Sequence, residues 1–230
     1  MKKIIRNQVV GGGILLLALT AVFFSVLLHV HAEEPVYTVV LDPGHGGADG
    51  GAVGTDGTLE KDLNLAISLL LREKLEARGI RVILTREIDD DTDGRSGFHK
   101  KEDLQARVTV GNTPQTDLYV SIHINASESS KDQGFQVWYG KNNLQGQTLA
   151  EEITKQVEEA QICTRIRVVK QVPDTLYIFR MLQVPNVLVE CGFITNRADL
   201  YKLQQEEFRG KLCESICNGI TEYLSQATFR

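Results

Sequence analysis

Apolar residues after residue 36 fall into two kinds of run that alternate along the chain. Five short runs are nearly continuous, which is typical of strands buried on both faces; they lie at 37–41, 80–84, 118–122, 135–139 and 187–189. Three longer runs repeat at helical spacing, at 59–75, 144–159 and 206–224. The first of these ends at Gly79, and the polar segment 89–101, with Gly94 and Gly97, predicts a surface loop. The alternation predicts a single α/β domain, with a mostly parallel central sheet flanked by helices.

The first 32 residues have a different composition and predict an export segment. A basic start at 1–6 precedes an apolar stretch from about 9 to 30, and Val30 and Ala32 then precede two glutamates. This pattern is typical of a signal peptide or of a signal anchor that remains in the membrane, and the glycines at 11–13 favour cleavage. We therefore expect an export segment at 1–32, a short linker at 33–36 and one domain at 37–227 that works outside the cytoplasmic membrane.

The charge of the chain excludes some classes of partner. The formal net charge is −5 and the isoelectric point is near 5.6, so no global basic field is available to hold nucleic acid or an anionic membrane surface. We expect no nucleic-acid partner, and membrane contact only through the N-terminal segment if that segment is retained.

The four cysteines do not reveal a disulfide framework. Cys213 and Cys217 lie one helical turn apart, and Cys163 and Cys191 stand in apolar surroundings. The pairing of these cysteines cannot be read from the sequence. Buried small hydrophobic residues are the favoured interpretation.

Two histidines and two glutamates fall at positions that an α/β fold brings together. His45, His123 and Glu190 lie at or just beyond the carboxyl ends of predicted strands, where sites gather in open α/β sheets, and Glu60 opens the following helix. Each residue alone has an ordinary structural interpretation as a turn, core or first-turn residue. Their joint placement favours a tetrahedral zinc on His45, Glu60 and His123, with one position open for water and Glu190 nearby, which indicates hydrolysis.

The glycine-rich segment around His45 has a second interpretation, as a loop that cradles phosphate. Neither of the two common glycine motifs of nucleotide sites is present. We therefore interpret these glycines as the positive-φ turns that fold the loop and Glu60 back over the edge of the sheet.

Several motifs together resemble one family of enzymes. The matching segments are VVLDPGHGG at 39–47, Glu60 with Asn64, LTR at 84–86, Arg107 with Asn112, SIHINA at 121–126 and VECGF at 189–193. In combination they resemble the zinc-dependent N-acetylmuramoyl-L-alanine amidases of bacterial cell walls, over nearly all of the chain after residue 36.

The resemblance implies a cofactor, a substrate and roles for individual residues. It implies zinc on His45, Glu60 and His123, Glu190 as the catalytic carboxylate, and cleavage of the amide between the lactyl group of muramic acid and L-alanine in peptidoglycan. Asn125 is a candidate for substrate binding or for capping the following turn. Arg107 is a candidate for holding a peptide carboxylate or for a structural ion pair.

Within that family, the single domain behind an export segment is most similar to the sporulation-associated amidases. That similarity implies a role in forming muramic-δ-lactam in spore cortex, needed for germination, between the forespore and mother-cell membranes or in the cell wall. Since no wall-binding repeats accompany the domain, we expect an activating protein partner. Two other functions remain open: a zinc peptidase that cuts within the stem peptide, and a wall-binding module without catalysis.

Overall fold

The computed structural model describes residues 37–93 and 99–226. The elements, in chain order, are β1 (Thr38–Pro43), α1 (Glu60–Glu76), β2 (Arg81–Leu84), α2 (Lys100–Gly111), β3 (Leu118–Asn125), β4 (Gln136–Tyr139), α3 (Leu144–Glu159), β5 (Lys170–Gln171), α4 (Tyr177–Met181), β6 (Asn186–Phe193), α5 (Arg197–Gln204) and α6 (Glu206–Gln226). The predicted export segment, the linker at 33–36, residue 227 and both glycines of the predicted surface loop lie outside the described residues.

The strands form one six-stranded sheet in the order β2-β1-β3-β6-β4-β5. Strands β2, β1, β3 and β6 run parallel to one another, whereas β4 pairs antiparallel with β6. The four parallel strands therefore end at the same edge of the sheet. The predicted α/β fold with a mostly parallel central sheet is confirmed.

The two faces of the sheet bury different sets of side chains, because successive residues of a strand point to opposite faces. Val39, Leu118 and Val187 belong to the larger core cluster, which also contains side chains of α1, α3 and α6. Their neighbours Val40 and Tyr119 belong to a smaller cluster that includes side chains of α2 and α4. The domain thus has three layers, with the sheet in the middle.

The strand ends extend beyond the apolar runs, and this extension is what builds the site. Strand β3 was predicted at 118–122 and continues to Asn125, and β6 was predicted at 187–189 and continues to Phe193. The added residues include His123, Asn125 and Glu190, which interrupt the apolar runs, so hydrophobicity alone does not signal the full length of these strands. The two strands stay paired over this extension, with a register shift between His123 and Asn125.

Helix α2 and the short elements were not predicted. The sequence of α2, KKEDLQARVTVG, is mostly polar, and the helix buries only Arg107 and Gly111. It therefore lacks the wide apolar face by which a helix is recognised from sequence. Across residues 37–93 and 99–226, no helix is both long enough and apolar enough to span a lipid bilayer.

Candidate active site

The site lies on the face of the sheet that α2 and α4 flank, at the carboxyl ends of the parallel strands. Val40, Tyr119 and Leu188 point into the smaller cluster. Residues an even number of positions further along the same strands point to the same face, and these are Asp42, His123 and Glu190, which line the cleft. Cys191 points the other way and is buried in the larger cluster.

The loop after β1 holds His45 in an unusual backbone conformation. His45 has a φ of 61°, in the left-handed region that side chains other than glycine rarely adopt. Two buried guanidinium groups fix the loop there, since Arg86 Nε and Arg107 Nη2 both donate to the carbonyl oxygen of His45, at 2.7 and 2.8 Å. The same two arginines also donate to the carbonyl oxygen of Pro43.

Glu60 is placed as the first residue of α1 and is held by backbone and side-chain donors. Its Oε2 atom accepts from the backbone N–H of Ala52 at 2.9 Å, and its Oε1 atom accepts from the N–H of Ile124 at 3.2 Å. One helical turn later, Asn64 Nδ2 donates to Glu60 Oε1 and to the carbonyl oxygen of Gly44. The carboxylate is therefore tied to the glycine loop, to β3 and to its own helix.

The three predicted ligands converge. One nitrogen or oxygen atom from each of His45, Glu60 and His123 lies within 4.8 Å of the others. Glu60 Oε1 is 2.9 Å from His123 Nδ1, Glu60 Oε2 is 3.2 Å from His45 Nε2, and the two rings meet edge to face at 4.9 Å. Two imidazoles and a carboxylate are a donor set that zinc accepts, so the residues present fit the ion that the family implies.

Glycine is required at two positions around this cluster. A side chain at Gly44 would begin 2.1 Å from Nε2 of His123, and one at Gly51, whose φ is 67°, would begin 2.7 Å from Glu60 Oε2. The backbone thus approaches the ligands more closely than any residue with a Cβ atom allows.

Asp49 orients the first histidine. Its Oδ2 atom lies 2.9 Å from His45 Nδ1, and its Oδ1 atom accepts from the backbone N–H of Gly51 at 3.0 Å. The Nε2 atom, on the other side of the ring, faces Glu60. Burial would lower the pKa of His45, but the hydrogen bonds that its ring nitrogens donate to Glu60 and Asp49 raise it to about 9.

The electrostatic environment differs sharply between the two glutamates. Burial would raise the pKa of Glu60, but hydrogen bonds to His123 and His45 hold it well below its ordinary value. Burial raises the pKa of Glu190 to about 7, against the opposing effect of His123. The Oε2 atom of Glu190 is buried and has no hydrogen-bond partner in the described structure. Glu60 is thus a fixed anion, whereas Glu190 is able to exchange a proton near neutral pH.

These residues open into a cleft of about 390 Å³, which is within the range of small-ligand sites. Asp42, His45, His123 and Glu190 line it near the strand ends. Other lining residues come from α2 and from the segment 175–179, which includes the start of α4.

Comparisons with known proteins decide the family. Residues 39–222 match the family model described as N-acetylmuramoyl-L-alanine amidase. The chain belongs to the N-acetylmuramoyl-L-alanine amidase family.

Relatives along most of the chain agree with this assignment. The germination-specific N-acetylmuramoyl-L-alanine amidase of Bacillus subtilis is 36% identical over 82% of this chain and 80% of its own. The uncharacterized protein YqiI of the same organism is 38% identical over 91% and 97%. The solved structure of the CwlD amidase from Clostridioides difficile, in complex with the GerS lipoprotein, has a TM-score of 0.75 and 37% identity, over 83% of this chain and 100% of that one.

The predicted enzyme class is therefore confirmed: the chain is an amidase that acts on cell-wall peptidoglycan. This excludes the non-catalytic wall-binding module as its function. Relatives from Bacillus anthracis and Staphylococcus aureus, 33% and 34% identical, are described as an uncharacterized and a probable cell wall amidase.

The two candidate substrate-binding residues of the amidase, Arg107 and Asn125, lie in different environments. All the nitrogen atoms of the Arg107 guanidinium bind protein acceptors, chiefly Asp42 at 2.5 Å and Asp103 at 2.8 Å, which accords with the structural ion pair. Asn125 follows a register shift in β3 and is not among the described residues that line the cleft. Its role in substrate binding stays a prediction.

Residues that hold the amidase's ligands in place were missed from the sequence. Asp49 lies in none of the matching segments, whereas the buried network of Asp42, Thr85 and Ser121 lies in three of them but receives no role from the sequence. A carboxylate four residues after His45 was the available signal for Asp49. The network residues come from three separate strands or strand ends, so only the sheet order brings them together.

Proposed function

We propose that this amidase depends on zinc held by His45, Glu60 and His123, and that Glu190 is its catalytic carboxylate. The observation that carries the proposal is the convergence of these three donors at one strand edge, next to a carboxylate with a free, buried oxygen. When bound, zinc polarises the scissile carbonyl and lowers the pKa of water toward about 7.

Glu190 supplies the proton transfers that hydrolysis of an amide requires. As a carboxylate it takes a proton from the attacking water, and as an acid it returns that proton to the nitrogen of the departing L-alanine. A pKa of about 7 suits both steps, because neither form is strongly disfavoured at neutral pH. The bond that breaks joins the lactyl carbonyl to this nitrogen, so the products are a lactyl carboxylate and a peptide with a free amine.

For the biological role, we infer that the enzyme acts on spore cortex and contributes to muramic-δ-lactam formation before germination. The germination-specific relative from Bacillus subtilis supports this inference, since the match extends over four-fifths of both chains.

The same proposal includes export and a protein partner. Residues 1–32 would direct the chain across the cytoplasmic membrane. Residues 33–36 would join this export segment to the zinc-dependent catalytic domain at 37–227. The related CwlD amidase was solved in complex with a lipoprotein, GerS. By analogy, we expect an exported protein to bind this amidase and activate it on polymeric wall.

The sporulation role is tested by deleting the gene and complementing it with the wild type or with Glu190→Gln. Cortex is then digested to muropeptides and muramic-δ-lactam is quantified by mass spectrometry. We expect loss of the lactam in the deletion strain and rescue by the wild type alone. Normal lactam levels in the deletion strain would contradict the role in spores while leaving the amidase chemistry intact.

A further inference from the structure

One face of α2 supplies a stripe of side chains to the cleft. Lys100, Asp103, Leu104 and Arg107 have the spacing i, i+3, i+4 and i+7, which places them on the same side of a helix, and all four line the cleft. Arg107 is at the end of the stripe beside His45. Lys100 is seven residues away, at the start of the helix.

The charged members of this stripe differ in what they bind. Arg107 and Asp103 are paired with each other, and Arg107 also pairs with Asp42. Lys100 is exposed and forms no ion pair or hydrogen bond through its side chain in the described part of the chain. The cleft therefore contains one cation whose charge is not already neutralised by a direct contact.

Between Lys100 and Arg107, the wall of the cleft is apolar. Leu104 contributes from α2, and Leu176, Ile178 and Phe179 contribute from the segment that enters α4. Leu176 keeps 36% of its surface exposed, so the wall is accessible to a ligand. An apolar wall with a single cation suits an aliphatic chain that carries a carboxylate, whereas a sugar would need several polar groups to replace its hydrogen bonds with water.

We propose that this part of the cleft is the binding site for the peptide side of the substrate, with Lys100 binding a free carboxylate of the residue that follows L-alanine. The inference rests on the proposed function, because it assumes that the scissile amide lies between Glu190 and the ligands His45, Glu60 and His123. It also supplies the carboxylate-binding group that Arg107, with its donors already used, does not provide.

The dimensions agree with this assignment. Seven residues of α-helix place Lys100 about 10 Å along the axis from Arg107. Two to three residues of extended peptide cover roughly 7–10 Å. A stem peptide that leaves the catalytic residues along α2 therefore brings its second or third residue to the Lys100 ammonium group.

A structural role for Lys100 makes a different prediction. Its positive charge also acts on Asp49, which orients His45. If this were its only role, replacing Lys100 would reduce activity on every substrate to the same extent.

The test uses the full chain loaded with zinc, as wild type, Lys100→Met, Lys100→Glu and Lys101→Met. Lys101 is the matched control, because it is the next residue, is exposed and lies outside the cleft lining. Two synthetic muropeptides are compared, with D-glutamate or with D-isoglutamine after L-alanine, so that they differ only in one carboxylate. Cleavage gives kcat and KM, and calorimetry with the two free product peptides gives affinity without chemistry.

We expect the wild type and Lys101→Met to prefer the carboxylate about fivefold, through KM and through product affinity, as for an ion pair at an exposed site. Lys100→Met should abolish the preference and Lys100→Glu should reverse it. Equal handling of both peptides by the wild type, or a preference unchanged in Lys100→Met, would overturn the inference. Failure to cleave either muropeptide, with selective binding of the carboxylate peptide retained, would contradict the proposed chemistry but support the Lys100 site.

Discussion

Glu190 lies directly opposite His123 in the parallel pairing of β6 with β3. The register therefore sets the proposed catalytic carboxylate beside a proposed metal ligand, although the two residues are far apart in sequence. His123 is in turn 2.9 Å from Glu60, so one hydrogen-bonding ladder and one helix start assemble most of the site. The proposed chemistry depends on this arrangement, and the following predictions test its parts.

The first prediction concerns the metal ligands. His45→Ala, His123→Ala and Glu60→Gln should each bind much less than one zinc per chain by elemental analysis, because each removes one of three converging donors. His99→Ala is the control, since its imidazole is 43% exposed and lies outside the cluster. Full zinc content in any of the three ligand variants would remove that residue from the proposed ligand set.

The second prediction concerns Asp49. Asp49→Asn should weaken zinc binding by about 10–100-fold in a competition assay with a chelator, because the neutral amide no longer fixes and polarises His45. Asp56→Asn is matched to it, since Asp56 belongs to the same loop but bonds to Thr58 and Gln204. Equal zinc affinity in wild type and Asp49→Asn would show that the contact does not orient the ligand.

The third prediction concerns the buried arginine. Arg107→Ala leaves Asp42 buried without its cation and releases the carbonyl oxygen of His45, so it should lower the free energy of unfolding by about 3–5 kcal/mol in urea titrations. Arg72→Ala removes an exposed ion pair with Glu87 and should cost about 1 kcal/mol or less. Similar losses in the two variants would contradict the structural role of Arg107.

The fourth prediction concerns acid stability. Burial would raise the pKa of Asp42, but Arg107 and the hydroxyl groups of Thr85 and Ser121 lower it from 3.8 to about 2. A depressed pKa stabilises the fold above the unfolded value, and this contribution disappears as the pH falls from 3.8 through 2.

Unfolding of wild type and Asp42→Asn should therefore be compared between pH 5 and pH 2, with chelator present in both so that metal release does not contribute. We expect the wild type to be more stable near pH 5, and the difference to shrink toward pH 2 by up to about 1.4 kcal/mol per pH unit. A difference that stays constant over this range would indicate that Asp42 does not titrate in the way its contacts require.

The elements that the sequence predicted are those in which apolar residues form a continuous run or repeat at regular spacing. Strand β1 and helix α1 bury continuous or periodic apolar faces, so their existence followed from hydrophobicity alone. Helix α2 did not, because it buries Arg107 and Gly111 in place of an apolar stripe, and the ion pair of Arg107 with Asp42 forms only when β1 is nearby.

The site was predictable as far as its residues lie near the end of a strand or at the start of a helix. His45 follows β1, and His123 and Glu190 lie in the carboxyl-terminal halves of β3 and β6, near the edge where sites gather in an α/β sheet. The contacts that hold the ligands in place were not predictable in this way, since Arg86 and Arg107 act on backbone carbonyl oxygens of the His45 loop. Both arginines lie in the matching motifs, but their contacts with backbone oxygen atoms depend on loop geometry, which those motifs do not specify.

The central claim is that Glu190 and bound zinc together cleave the lactyl–alanine amide. The most direct measurement is digestion of purified peptidoglycan by the full chain, as wild type, Glu190→Gln and the exposed control Glu158→Gln, with added zinc or with chelator. Mass spectrometry identifies the products, and a parallel digestion with cell extract supplies any required partner.

We expect peptides with a free L-alanine amine and peptide-free muramic acid from the wild type and from Glu158→Gln, and loss of both products on chelation. Glu190→Gln should be about 10²–10⁴-fold slower with its zinc content and thermal stability unchanged, since the amide keeps the shape but cannot carry the proton. Cleavage within the stem peptide, or undiminished cleavage by Glu190→Gln, would contradict the account.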